Sequence, residues 1–418
     1  MAKYPNILLM EDRSKAEALL VELGRALHAA GASSGRVEAA VTEVAAGWGL
    51  PVDALATPTS LQLAFGAPGP QRLNLSRLQP GGIALGRLVT LEALVRRAAQ
   101  GEGPQALRAT LDRLHAQPAQ WGALASLLAA TVLGGAAAAS FGASLPGVEL
   151  GAGVSLAVAA LERLAQRRPA AARLTPLAGA ALATLLSVLG ARALGLPTAW
   201  PSLLGGLIQL APGYTFTVAA TELAESELVA GTARLGAALS TFLQLSVGLA
   251  ATASALEAWP LLSPAGPAAA GVAWGAAAAV GLAYGVLLQA APRDTRLVFL
   301  GALGGQAASE LGDWIGSGAW APFVAAAGLS LGSELAGRLT RRPSALFLVP
   351  SLLALVPGGA GIGGLSRVLH AEPGGGAAAI GAVVAAISLS TGVLLGQLLA
   401  GGLRGGARPP LDLSGERV

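Results

Sequence analysis

From Trp121 to Gly402 the chain is a succession of apolar stretches separated by short polar or proline-containing gaps, and that succession constrains its fold most. Ten stretches can be delimited, near 121–143, 147–164, 174–194, 202–221, 229–256, 267–290, 297–314, 318–337, 344–365 and 375–402. A helix needs about 20 apolar residues to cross a bilayer, and most of these stretches reach that length. Only 12% of the 418 residues are charged, against roughly 25% in an average soluble protein, so lipid must solvate most of this chain. The 58 glycines sit largely inside the apolar stretches. Gly271/Gly275, Gly281/Gly285, Gly301/Gly305, Gly328/Gly332 and Gly392/Gly396 have the small-residue spacing that lets membrane helices approach closely.

The fourth stretch, Ser202 to Thr221, is interrupted in its middle by Pro212-Gly213, and the ninth repeats the interruption at Pro357-Gly358. A proline in a helix interior donates no N–H to the carbonyl four residues earlier, here Ile208 and Leu353. The glycine lets the backbone turn away from helical geometry. Backbone freed in this way is tolerated at membrane depth only where protein or a watery cavity satisfies it. Broken helices at corresponding places in two halves point to a transporter's substrate site. The competing reading is a pair of packing kinks, since proline and glycine are common in membrane helices.

Ten spans divide into five and five, with the broken helix fourth in each half. An odd number per half turns the second half upside down relative to the first, the inverted-repeat arrangement of many secondary transporters. The charges fit this count. With the N-terminus in the cytoplasm, inner gaps and tail carry Arg163, Arg167, Arg168, Arg173, Arg293, Arg296, Arg338, Arg341, Arg342, Arg404, Arg408 and Arg417, whereas outer gaps carry Arg192 and Arg367. That asymmetry follows the positive-inside rule, and Trp200, Trp259, Trp314 and Trp320 fall at the outer boundary as an aromatic belt would. The expected fold is therefore an α-helical polytopic membrane protein with repeats at 121–256 and 267–402.

A soluble α+β domain is expected before them, at 11–118. Ala16, Leu19, Leu20, Leu23 and Leu27 mark one amphipathic helix, and Val37, Val41 and Val44 a second that ends before Pro51. Leu61, Leu63 and Phe65, then Leu73 and Leu75, alternate as a short β-hairpin. Helices near 83–100 and 104–116 follow. Glu17, Glu22, Arg25, Arg36, Glu38 and Glu43 read as a solvated helix face. A cleavable signal peptide is not expected, because Met1 to Met10 is short and leads into charged Glu11-Asp12-Arg13.

Several chemistries are disfavoured. The chain has no cysteine, and His28, His115 and His370 lie far apart, so no metal motif and no cofactor are expected. The net charge of +4 is spread over the gaps between apolar stretches, which argues for membrane topology and against a nucleic-acid partner. A membrane-embedded enzyme would show a paired catalytic set in its spans and a passive channel a polar ring. Neither pattern stands out, and both remain as competing classes.

The order of motifs along the chain resembles the threonine/serine exporter family of bacterial secondary transporters. The matching residues are Gly31-Ala32 with Arg36-Val37-Glu38, LAPG at 210–213, GTARLGAAL at 231–239, PRDTRLVFLGALGG at 292–305 and LVPG at 355–358. The resemblance spans nearly the whole length. It implies a multi-pass protein of the bacterial inner membrane, no enzyme activity, and proton-driven export of small hydroxy amino acids such as threonine and serine. Similar two-chain proteins linked to dicarboxylates such as succinate keep that substrate class as the alternative. Glu222 stands where relatives often carry aspartate.

A zwitterion needs a pole of each sign. After the first break the amides near Tyr214 and Thr215 open a new half-helix whose positive end suits a carboxylate. Gln209, Pro212, Gly213, Tyr214, Thr215 and Thr217, with Pro357 and Gly358 at the second break, are the candidate substrate residues. Proton coupling needs a carboxyl whose titration burial can move. Glu222, directly after the broken helix, and Glu310 in the seventh stretch are the candidates, with Arg234 placed to pair with Glu222. Glu334 and Arg338, four residues apart, read as a helix salt bridge.

Overall fold

The computed structural model describes residues 10–67, 69–79, 81–266, 268–315, 320–355 and 375–402. The N-terminal unit consists of α1 (Met10–Ala29), α2 (Ser34–Gly47), α3 (Leu85–Ala99) and α4 (Pro104–Ala116). α1 and α2 pack against an antiparallel sheet of β1 (Val52–Thr57), β2 (Ser60–Phe65) and β3 (Arg72–Arg77), in that order, and α3 and α4 pack on those helices. Helical spacing brings Leu20, Leu23 and Leu27 of α1, Val41 of α2, Leu91 and Leu94 of α3, and Leu107 and Leu111 of α4 into one core with Leu61 and Leu63 of β2.

Two expectations for this unit are corrected. The hairpin is a three-stranded sheet, because β1 pairs along its whole length with β2 from Val52–Phe65 to Thr57–Ser60. Leu73 and Leu75 point outward. The β2–β3 register sets Arg72 against Phe65 and Asn74 against Leu63, so polar residues occupy the inner face of β3. There Arg72 pairs with Glu17 of α1. Nor are the helix charges simply solvated. Glu17 is buried, the guanidinium of Arg36 donates to both oxygens of Glu92 (2.7 and 2.6 Å), and Glu38 accepts the Ala56 N–H (2.6 Å). These carboxylates tie helices to one another and to β1.

The rest of the described chain is helical: α5 (Ala123–Ser140), α6 (Leu145–Gln166), one-turn α7 (Pro169–Ala172), α8 (Thr175–Ala193), α9 (Trp200–Leu207), α10 (Gly213–Ala224), α11 (Leu228–Ala255), α12 (Ala270–Leu287), α13 (Thr295–Ile315), α14 (Trp320–Thr340), α15 (Ala345–Leu355) and α16 (Gly375–Gly402). Among the described residues six helices are long and apolar enough to cross a membrane: α5, α6, α8, α11, α12 and the Val383–Gly401 part of α16. Leu124, Leu128, Leu185, Leu243, Ile380 and Leu398 point outward. An outward apolar surface over helices with internally satisfied backbone is what a bilayer requires.

The two halves pack alike. α6 lies against α5, α8 and α9, while α8 packs on α11. In the second half α13 lies against α12, α14 and α15, while α14 packs on α16. A tetrapeptide, Pro-Ser-Leu-Leu, recurs at 201–204 and 350–353, and its serine makes the same bond twice. Ser202 Oγ donates to the Gly147 carbonyl on α6 (2.8 Å), and Ser351 Oγ to the Gly301 carbonyl on α13 (2.6 Å). Glycine again permits the approach. A Cβ at Gly248 would run into the α8 backbone, and one at Gly392 or Gly396 into α14. Gly281 and Gly285 likewise face α13, whereas Gly271/Gly275 and Gly328/Gly332 face nothing within 4 Å among the described residues, so those two pairs are not helix contacts there.

The N-terminal unit is docked on both halves by two helix N-termini. The first N–H groups of α3, at Leu85 and Gly86, donate to the Leu288 and Gln289 carbonyls at the end of α12 (2.8 and 3.1 Å). Each side supplies the groups that a helix end leaves unpaired. The Ser34 N–H, which opens α2, donates to Glu222 at the end of α10 (3.2 Å).

Candidate functional site

The fourth apolar stretch is broken. α9 ends at Leu207, three turn residues and Ala211-Pro212 follow, and α10 starts at Gly213 with Pro212 as its N-cap. Gln209 holds the break to α6, its amide donating to the Ser155 carbonyl (2.9 Å). Thr217 is buried, its hydroxyl bonded to the Gly213 carbonyl (3.1 Å), while its own carbonyl accepts from Ser390 Oγ of α16 (3.3 Å). The threonine side chains on α10 thus serve packing as well as facing a space.

That space is a cavity of about 900 Å³ between the N-terminal unit, α10, the α14–α15 corner and α16. Tyr214, Thr217, Thr221 and Glu222 bring one wall, Ser33, Arg36 and Glu92 a second, and Glu334, Arg338 and Ser344 a third. Of the residues singled out in sequence, Tyr214, Thr217 and Glu222 line it. Gln209, Pro212, Gly213 and Thr215 stand at the break, outside the lining. Pro357 and Gly358 lie outside the described residues. Glu310 is exposed on α13, accepts from Gln306 Nε2 (3.1 Å), and is not part of this cavity.

Glu222 is the most enclosed acid here, with its side chain 2% exposed. Arg234, on α11, reaches both oxygens with Nε (3.0 and 2.9 Å), and the α2 N-terminus supplies the Ser34 N–H. A carboxylate at a helix N-terminus meets unpaired N–H groups and the positive end of the helix dipole. More acids surround this point. Burial pushes Glu225, in the turn after α10, up from its ordinary value, and the Glu222 and Glu227 charges add to the effect. Burial likewise raises Glu38, with Glu227 and Glu222 adding and the Ala56 N–H opposing. Across α1, burial lowers His28, the Arg234 charge adds, and its bond to the Pro58 carbonyl (3.0 Å) opposes.

Sequence reasoning missed Asp294. It is buried between α12 and α13 and pairs with Arg342 of the α14–α15 corner (3.3 Å). Its place in the 292–305 motif was the available signal. Among the described residues no group of histidine, cysteine and acidic side chains could hold a metal ion.

Two family models match the chain, each described as a threonine/serine exporter. The first covers residues 18–256, more than half of the length. The second, Threonine/Serine exporter, ThrE, covers 274–399. The chain belongs to the threonine/serine exporter family. Its members are transporters and not enzymes. Family and apolar helices together make this a multi-pass membrane protein. No curated protein and no solved structure matches the chain.

Proposed function

We propose that the protein exports small hydroxy amino acids, threonine and serine, from the cytoplasm, driven by the proton gradient. The observation that carries this reading is the inner half of a broken helix, α10, presenting Tyr214, Thr217 and Glu222 to a cavity large enough for an amino acid. The charged lining favours a zwitterion over a dicarboxylate. Arg36, Arg96, Arg338, Arg341 and Arg342 face Glu43, Glu92, Glu222, Glu225 and Glu334 across the same space, whereas a dianion site would carry an excess of cations. Glu222 is assigned the coupling proton ahead of Glu310, because only Glu222 lines the cavity. Protonation would weaken its bonds to Arg234 and Ser34 and free α10 from the N-terminal unit.

In this reading residues 11–118 form a soluble domain on the cytoplasmic face of a bacterial inner membrane. Residues 121–256 and 267–402 are five-span repeats of opposite orientation. The shared packing pattern and the twice-made serine–glycine bond support an internal repeat, and the arginine asymmetry supports the cytoplasmic N-terminus.

The test is transport by purified protein in liposomes, with and without an imposed pH gradient, over threonine, serine, succinate and an uncharged control. Threonine flux that follows the gradient is expected. Succinate flux with no threonine flux would overturn the substrate assignment, and gradient-independent leak of all solutes would favour a channel.

A further inference from the structure

The N-terminal unit is fastened to the rest of the protein at two places, and the two fastenings differ in kind. On one side it meets the end of α12. The Leu85 and Gly86 N–H groups that open α3 donate to the Leu288 and Gln289 carbonyls (2.8 and 3.1 Å). A Cβ at Gly86 would lie 2.8 Å from the Gln289 carbonyl, so this approach needs glycine. The chain leaves the unit at the same place. Gln289 Oε1 accepts the Trp121 N–H (3.0 Å), and Trp121 Nε1 donates to the Ala290 carbonyl (2.8 Å). The apolar core of the unit also continues on this side: Leu85 and Leu88 belong to one cluster of buried residues with Leu288, Ala290, Leu297 and Leu346.

On the other side the fastening is electrostatic. α2 begins without a cap of its own, since Ser33 makes no side-chain cap bond and no acid stands in the first turn. Acids at the α10–α11 junction take that place. The Ser34 N–H donates to Glu222 (3.2 Å), and a Cβ at Gly35 would lie 3.7 Å from Glu227 Oε1. A helix N-terminus presents unpaired N–H groups and a partial positive charge, which nearby carboxylates satisfy. β1 also touches α11, but among the described residues no buried apolar side chain of α10 or α11 joins the unit's core. The cavity opens beside this second fastening, with Ser33 and Arg36 of the unit and Thr221 and Glu222 of α10 lining it together.

We infer that the N-terminal unit is a hinged lid on the cytoplasmic mouth of the cavity, pivoting at the α12 end and Trp121 and latched by the α2 N-terminus on Glu222 and Glu227. The pivot joins uncharged backbone and side-chain groups over a continuous apolar contact, and it carries the covalent connection. The latch consists of charge–dipole contacts that water can replace on both sides once they part. Local opening starts where few buried apolar contacts hold an element, so the latch parts first and the pivot holds. Parting draws Ser33 and Arg36 away from α10 and admits a solute from the cytoplasm; the structure has the latch closed. This rests on the cavity being the export path and adds the moving part that opens it.

Two measurements on the purified full-length protein test this. Amide hydrogen exchange, resolved to single residues, compares the fastenings in the parent, since Ser34 and Leu85 each donate across the interface. Corrected for intrinsic rates, Ser34 should exchange at least tenfold faster than Leu85. Equal protection, or a faster Leu85, overturns the assignment of latch and pivot. The second measurement closes the latch covalently. A side chain at Gly35 meets only Glu227 within 4 Å, so Gly35→Cys with Glu227→Cys can be bridged by a two-carbon bis-methanethiosulfonate in this cysteine-free chain. In liposomes the bridge should cut threonine flux at least tenfold and a reductant should restore it, while each single-cysteine variant treated alike keeps at least half of the parent's flux. Undiminished flux through fully bridged protein overturns the lid. A parent that moves no threonine overturns the export reading, and the exchange comparison then still decides between latch and pivot.

Discussion

Removing Arg234 should loosen the N-terminal unit from the rest of the protein. Arg234 is 18% exposed and its partner Glu222 2% exposed, so Arg234→Ala leaves a carboxylate enclosed with only the Ser34 N–H as a donor. Removing one partner of a buried ion pair costs ~3–5 kcal/mol. The surviving bond to a charged acceptor still contributes ~1.5–3 kcal/mol, which places the expected cost near the lower end, ~3 kcal/mol. Glu222→Gln should cost less, ~1–2 kcal/mol, because the amide oxygen still accepts the Ser34 N–H and Arg234 regains some hydration. The sign test is the double variant. Glu222→Gln with Arg234→Ala leaves no unpaired charge and should be less destabilised than Arg234→Ala alone, a coupling that a double-mutant cycle isolates. Amide hydrogen exchange over residues 33–40 reads the contact directly, since Ser34 N–H is the donor. A loss of ~3 kcal/mol corresponds to roughly a hundredfold faster exchange where local opening governs it. Unchanged exchange in Arg234→Ala, or a double variant at least as destabilised as the sum of the singles, would refute the argument.

Three further outcomes follow from the packing and the charges. Gly301→Ala should lower thermal stability by ~1–3 kcal/mol through overpacking, because its Cβ would lie 2.5 Å from the Phe347 carbonyl and 2.9 Å from Pro350; a melting temperature equal to the parent's would contradict the α13–α15 contact. His28 is lowered from 6.5 in the fold, so the unfolded chain binds the proton more readily. Its contribution is present above about pH 6.5 and lost as pH falls through the folded value. The stability gap between parent and His28→Gln should therefore shrink from pH 7.5 to pH 5.5, and a constant gap would remove His28 from the balance. Because the chain lacks cysteine, single cysteines report sidedness. Thr340→Cys and Ala172→Cys should be labelled only from the cytoplasm and Ser263→Cys only from outside, and outside labelling at 340 would sink the inverted repeat.

The helices of the membrane part were legible because bilayer length and apolar composition are local properties. The break at Pro212-Gly213 was legible for the same reason, since proline removes a donor wherever it stands in a helix. β1 was not, because the residues on its inner face, Val52, Ala54 and Ala56, are small and its pairing with β2 is a tertiary fact. The outward facing of Leu73 and Leu75 was not legible either, for a one-residue change of register exchanges the two faces of a strand. The Glu222–Arg234 pair could be anticipated from the scarcity of charges near apolar spans, but Ser34, 188 residues away, carries no signal for it. Glu310 was chosen by the same scarcity, and scarcity says nothing about which way a side chain points. Glu334 and Arg338 have the spacing of an ordinary surface pair; only the fold shows that a cavity lies beside them.

The central claim is that substrate passes the inner half of the broken helix, and Thr221 tests it most directly. Its side chain lines the cavity, is partly accessible and bonds only to the Thr217 carbonyl (3.0 Å) among the described hydrogen bonds. In the cysteine-free chain, Thr221→Cys can be modified by a small charged methanethiosulfonate while threonine flux is followed in liposomes. The account predicts that modification blocks flux and that added threonine slows the modification. Complete modification with undiminished threonine flux would contradict it.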